Sequence, residues 1–164
     1  MSRPEISRLH ELFAYSAQSG VLIRKITTSN RCPAGSRAGT LDRSTGYRRV
    51  RVDGVVLYEH IVVWAMTRGK WPSGLIDHRH GTRDDNREDG LRDGPRRFNQ
   101  ENQRRARSDN KLGVLGVCQV PSGKFAASIR VDGRQRRLGT FSSAEDAHAA
   151  YVAAKRMFHE GCTL

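Results

Sequence analysis

Asp77-His78 sets a carboxylate and an imidazole side by side. The polar run Arg79-His80-Gly81-Thr82-Arg83-Asp84-Asp85-Asn86 follows, and Phe98-Asn99-Gln100-Glu101-Asn102 later returns with carboxamides. A carboxylate and an amide oxygen can share one hard divalent cation, and a neutral imidazole beside them can take a proton from water. Hydrolysis of a phosphodiester needs those parts: a water made nucleophilic, charge stabilised at phosphorus, and help for the departing oxygen. Taken alone, Asp77-His78 is a common dipeptide of turns and surface ion pairs. Its weight comes from Asn99 on a following helix and from a basic chain around it.

The elements that must position these residues are short. Leu75-Ile76-Asp77-His78 reads as a strand, Gly81 to Gly90 as a loop rich in charge and turn formers, and Leu91-Arg92 as a second strand. Asp93-Gly94-Pro95 opens a helix with proline near its first position, where a missing N–H costs nothing. That helix is expected to run to Arg107, with Asn99, Asn102 and Gln103 on one face. His80 lies in the loop, where phosphate or solvent contact suits it better than the role of a base.

The substrate class follows from charge. In 164 residues, 29 Lys plus Arg oppose 17 Asp plus Glu, a net charge of +12 that points to a polyanionic partner. Arginine outnumbers lysine, which favours forked contacts to phosphate and guanine edges over diffuse attraction. No long apolar run or basic amphipathic helix suggests a membrane. Cys32, Cys118 and Cys162 are scattered and lack Cys-x-x-Cys spacing, arguing against a disulfide framework or a zinc ribbon. Met-Ser-Arg-Pro-Glu carries no apolar signal-peptide core, so a reducing cytosol is expected.

Ile6, Leu9, Leu12 and Phe13 fall at helical spacing and predict a helix from Glu5 to about Tyr15, with Ser2 or Pro4 near its start. Ser19-Gly20 breaks it and Val21-Leu22-Ile23 opens a strand, followed by a loop from Thr27 to Arg37. Tyr47 to Val52 and Val55 to Tyr58 flank Asp53-Gly54, a strong hairpin signal. One hairpin face carries Arg49 and Arg51, either as a solvated face or as phosphate contacts. His60 to Met66 continues as a buried helix closed by Gly69, with His60 a structural or capping residue.

At these residues a resemblance becomes specific. His60-Ile61-Val62-Val63, Asp77-His78, Asp85-Asn86, Leu91-Arg92 and Asn99-Gln100-Glu101-Asn102 resemble the HNH endonucleases, in the branch found among phage and intron-encoded homing enzymes. The resemblance spans roughly Leu9 to Arg107. It implies a ββα-metal finger at about 74–107, with His78 activating water and Asp77 and Asn99 holding one Mg²⁺ or Mn²⁺ ion. It also implies a phage- or mobile-element-encoded enzyme acting in the cytoplasm of a bacterial host. The family usually has asparagine before the Leu-Arg pair, where this chain has Gly90; Asn86 is the candidate to support the loop instead.

Arg104 to Lys111 is basic and breaks at Ser108-Asp109-Asn110. It reads as a frayed helix end or as a tether over phosphates, with Arg104 and Arg105 as contacts. Three strands then follow, over Val114–Gln119, Phe125–Val131 and Arg136–Phe141, the last two joined by Asp132-Gly133. A helix with Ala147, Ala150, Tyr151, Ala154 and Phe158 on its inner face comes next. The sheet face away from that helix is expected to carry Gln119, Lys124, Ser128, Arg130, Arg134 and Arg136. Gly116-Val117, Gly123-Lys124-Phe125-Ala126-Ala127, Ile129-Arg130, Leu138-Gly139-Thr140-Phe141 and Ala144-Glu145-Asp146-Ala147 resemble the APETALA-two/ethylene-response-factor DNA-binding domain. That family lays a three-stranded sheet into the major groove, and Cys118 and Arg137 stand where it usually has arginine and tryptophan.

The expected fold is α+β: a nuclease domain at 1–107 with an N-terminal helix and hairpin, a basic linker at 108–111, and a sheet-plus-helix DNA-binding domain at 112–164. The expected function is metal-dependent cleavage of double-stranded DNA by a monomer. DNA-binding residues are Arg49, Arg51, Arg104, Arg105, Gln119, Lys124, Arg130, Arg134, Arg136 and Arg137. The two domains read as separable, so removal of everything beyond Asn110 is expected to spare the cleavage chemistry. The alternative is a DNA-binding regulator whose finger has become a scaffold, with Gly90 the mark of decay.

Overall fold

A computed structural model describes residues 3–164; Ser2, a candidate helix start, lies outside them. The chain divides into two compact units after Pro95.

In the first unit, helix α1 spans Ile6–Leu12 and strands β1 (Phe13–Ser16) and β2 (Val21–Arg24) form an antiparallel pair. The helix is shorter than its periodicity predicts. Phe13 and Tyr15 alternate on a strand because the turn before Val21 folds β1 back on β2, with Gly20 at φ +70°. A Cβ on Gly20 would lie 2.6 Å from the Arg87 nitrogen and 2.9 Å from the Asn86 carbonyl carbon, so that turn presses on the loop after His78. Strands β3 (Thr40–Leu41), β4 (Arg48–Val52) and β5 (Val55–Tyr58) form a second sheet, and β3 was not evident from its two residues. Helix α2 (Glu59–Arg68) ends at Gly69, in the left-handed conformation at φ 64°. Strands β6 (Leu75–His78) and β7 (Leu91–Gly94) pair antiparallel, and the connecting loop contains a 3-10 turn at Glu88–Gly90. The core gathers Leu9, Leu12, Phe13 and Leu22 with Val50, Val52, Val62, Val63, Ile76 and Leu91.

The second unit begins with helix α3 (Arg96–Glu101). It stops well short of Arg107, and Asn102 and Gln103 lie beyond its end. Arg-Arg-Ala-Arg has helix propensity, but tertiary contacts take the polar groups a continuing helix would use. Lys155 Nζ donates to the Gln103 carbonyl, and the Gln103 amide donates to Arg105 O at 3.0 Å. Strands β8 (Val117–Gln119), β9 (Phe125–Val131) and β10 (Arg134–Phe141) form an antiparallel sheet in the order β10-β9-β8, and α4 (Ala144–Phe158) packs on it. Ser143 caps α4 by accepting from the Asp146 N–H at 3.0 Å. Ala147, Tyr151 and Ala154 are buried, whereas Phe158 at the last turn is exposed.

Arg-Val-Asp-Gly occurs at 51–54 and 130–133, and both copies make tight hairpins. Asp53 and Asp132 have φ of 45° and 50°, followed by Gly54 and Gly133 at 85° and 76°. Two successive positive φ angles match the twist of the flanking strands.

Glu59 is fully buried, and its Oε1 accepts from the Leu22 N–H at 3.5 Å. Burial raises its pKa, so the fold favours the protonated acid and bears a cost once pH exceeds that raised value. Glu59→Gln keeps an acceptor and removes the charge. Thermal unfolding at pH 7 should show Tm higher by about 4 °C, and the gain should vanish as pH falls below the ordinary glutamate range.

Candidate active site

The candidate site is built at the end of β6. Strand alternation and the register Asp77↔Arg92 and His78↔Leu91 put the acid and the imidazole on opposite faces of the ribbon. Both are buried, at 6% and 5% exposure. Asp77 Oδ2 accepts from Arg92 Nη2 at 2.6 Å, across the two strands. Arg92 was missed as a partner in the sequence, although a cross-strand opposite charge is what pairing Leu75–His78 with Leu91–Gly94 would have brought there.

His78 Nε2 lies 3.2 Å from Asn86 Oδ1. An amide oxygen only accepts, so Nε2 carries the hydrogen and the ring lone pair sits on Nδ1. Asn86 is itself 1% exposed, and Tyr15 Oη donates to its carbonyl at 3.1 Å. Asp85 and Arg87 pair beside it at 2.5 Å, and Arg87 holds the Asp85 carboxyl below the usual carboxylate range. Gly90 is tied at both ends of its peptide: its carbonyl accepts from the Arg79 N–H at 2.8 Å, and its N–H donates to Arg87 O at 3.0 Å. A Cβ at position 90 would meet only His80 Cδ2, at an ordinary 3.6 Å.

A cluster of rings surrounds the histidine. The His60 ring stands edge-on to His78 with centroids 5.0 Å apart, Tyr47 lies 5.1 Å from His60 and 5.7 Å from His78, and Tyr58 stacks on His60 at 5.4 Å. Arg83 covers Tyr47 at 5.1 Å and Arg49 covers Tyr58 at 5.6 Å. His60 is therefore a wall of the pocket around His78, at the start of α2. The two tyrosines gave no signal beyond flanking a hairpin. Burial lowers the pKa of both imidazoles; His60 falls to about 3, with His78 adding to the effect, while the Asn86 bond partly opposes the fall at His78. At neutral pH both rings are uncharged, and a neutral imidazole is the form that can accept a proton.

Residues 57–101 match the family model described as HNH endonuclease. The match supports an HNH nuclease and covers the stretch from the end of β5 to the end of α3. No curated protein and no solved structure matches the chain. Within the HNH segment, His78 and Asn86 are brought together in the first unit, and Asp77 lies on the opposite face of the strand pair against Arg92. Asn99 lies half-buried on α3 in the second. Among the described residues, no three His, Cys, Asp or Glu side chains gather as a metal cage. A carboxylate such as Asp77 is the type of donor that can share a hard cation with neutral oxygen ligands, phosphate and water.

The basic residues are distributed differently from expectation. Arg49 pairs with Asp42, and Arg51 Nη1 donates to Gly54 O at 3.2 Å, both on the exposed hairpin face. Arg104 is half-buried and donates to Thr163 O at 2.9 Å, whereas Arg105 is exposed. Register corrects the sheet face. Arg134 and Arg136 pair with Val131 and Ile129, which face α4, and Arg136 covers the Phe158 ring at 5.3 Å. Gln119, opposite Phe125, shares that side, and Lys124 sits between strands. The open face carries Ser128, Arg130, Gln135, Arg137 and Cys118. The expected strand began at Arg136; pairing that starts at Arg134 across the two-residue Asp132-Gly133 turn puts Arg134 and Arg136 on the side of Val131 and Ile129.

His60→Phe should keep the ring contacts while removing a group that binds a proton only when the chain unfolds. With its folded value lowered, wild-type His60 draws the protein open as pH falls below the ordinary 6.5, by about 2 kcal/mol at pH 5. Chemical denaturation at pH 7 and pH 5 should therefore show a smaller acid loss for the variant; equal losses would place His60 outside the buried pocket.

Proposed function

We propose that the protein is a divalent-metal-dependent, homing-type endonuclease that hydrolyses phosphodiester bonds of double-stranded DNA. His78 is the general base, and Asp77 and Asn99 hold one Mg²⁺ or Mn²⁺ ion. The observation that carries this is a buried, uncharged imidazole beside a buried carboxylate, within a segment matching HNH endonucleases. Asn86 fixes the hydrogen on Nε2, so Nδ1 takes the proton of the attacking water. The ion would stabilise charge on the phosphate and on the leaving oxygen. Arg92 orients Asp77 across the strand pair, and the rings of His60 and Tyr47 keep water from solvating an imidazolium at rest.

The basic surface supplies the substrate. Exposed Arg130 and Arg137 on the open face of the C-terminal sheet, with Lys124 and Arg134 near its turns, suit a duplex backbone and guanine edges. Arg49, Arg51 and Arg105 add cationic positions elsewhere. The similarity of this region to the APETALA-two/ethylene-response-factor domain favours major-groove contact by the sheet. A scaffold-only finger is less favoured, because Gly90 leaves the loop tied and His78 bonded to Asn86.

His78→Ala should lower single-turnover cleavage by roughly 10²–10⁴-fold and leave duplex affinity nearly intact. Asp77→Ala should raise the metal concentration needed for cleavage. Equal rates for wild type and His78→Ala would remove His78 from the chemistry.

A further inference from the structure

We propose that the C-terminal segment Glu160–Thr163 is a brace that positions α3, and with it Asn99. The inference rests on the assignment of Asn99 under the proposed function.

Helix α3 has six residues and none of them is buried. A helix that short does not persist through propensity alone, so its conformation has to come from tertiary contacts. Within the second unit those contacts converge from the end of the chain. Arg97 pairs with Glu160. The Gly161 N–H donates to Glu101 Oε2 at 2.8 Å. Thr163 Oγ1 donates to Asn102 Oδ1 at 2.7 Å and accepts from Arg104 Nη2 at 2.6 Å, while the Thr163 carbonyl accepts from the same guanidinium. Lys155, 1% exposed on α4, donates to the Gln103 carbonyl.

Gly161 shows how close the approach is. A Cβ there would stand 2.7 Å from both the Phe98 Cα and the Phe98 carbonyl oxygen, and 3.0 Å from Glu101 Cβ. The first two of these atoms are backbone, so α3 itself would have to move. Asn99 follows Phe98 directly, and a shift of the Phe98 backbone moves the carboxamide assigned to the metal. Lys155 and Thr163 are thus positioning residues, acting on Asn99 through the helix.

The test uses the full chain. In Gly161→Val, hydrogen exchange followed by mass spectrometry should be about tenfold faster over residues 98–103, with β8–β10 and α4 keeping their protection. The same variant should need more Mg²⁺ for half-maximal cleavage and cut about 10²-fold more slowly at saturating DNA, with duplex affinity unchanged. Thr163→Val should act in the same direction, and Thr163→Ser, which keeps the hydroxyl, should behave as wild type. Unchanged exchange over 98–103 would overturn the brace. Faster exchange with wild-type cleavage and metal requirement would overturn its bearing on the site. A wild-type chain that cuts nothing would overturn the nuclease function, and the brace's catalytic role with it; an active wild type matched by Gly161→Val would overturn the brace alone.

Discussion

An imidazole removed from water at the end of a strand must be neutral, and much of the first unit is arranged around that constraint. His78 and His60 stand edge to face, enclosed by Tyr47 and Tyr58, with desolvation pushing both pKa values down. The opposite face of the same strand pair carries Asp77 against Arg92. A neutral imidazole and a paired carboxylate are adjacent in sequence, yet strand alternation gives each its own environment. The tyrosines also carry cations, because the Arg83 guanidinium lies 5.1 Å from the Tyr47 ring and that of Arg49 5.6 Å from the Tyr58 ring.

The loop after His78 is long and charged, and it is held by groups distant in sequence. Tyr15 and Gly20, both from the β1–β2 hairpin, fasten Asn86, which fastens His78. Mispacking of the hairpin would therefore reach the ring nitrogen through two contacts. The second unit repeats this economy: a tail of a few residues organises a helix that could not hold itself. The segment matching HNH endonucleases crosses the division after Pro95, so its helix shares a folding unit with the C-terminal sheet.

Much of this was legible in the residues. Asp-Gly at 53–54 and 132–133 announced two hairpins and Gly69 closed α2, because each depends on local backbone chemistry. Legibility failed where tertiary contacts overrule local preference. Phe13 fits a helical stripe but belongs to a strand set by the Gly20 turn. The run after Glu101 has helical composition but is claimed by Lys155 and Thr163. The faces of Arg134 and Arg136 depended on a register that no single strand encodes. Of the candidate site, Asp77 and His78 could be named from residue type, and Asn86 only through the resemblance to HNH endonucleases. Arg92, Tyr47 and the wall formed by His60 could not, since they arise from pairing and packing across distant segments.

The central claim is that a neutral buried base and one hard cation together make this chain a phosphodiesterase. Its most direct test is the metal dependence of supercoiled plasmid conversion by the wild-type protein, with nicked and linear products separated. The account predicts nicked or linear DNA with Mg²⁺ or Mn²⁺ and none once the cation is chelated. Intact plasmid across a full metal titration, at protein concentrations that saturate DNA binding, would contradict it.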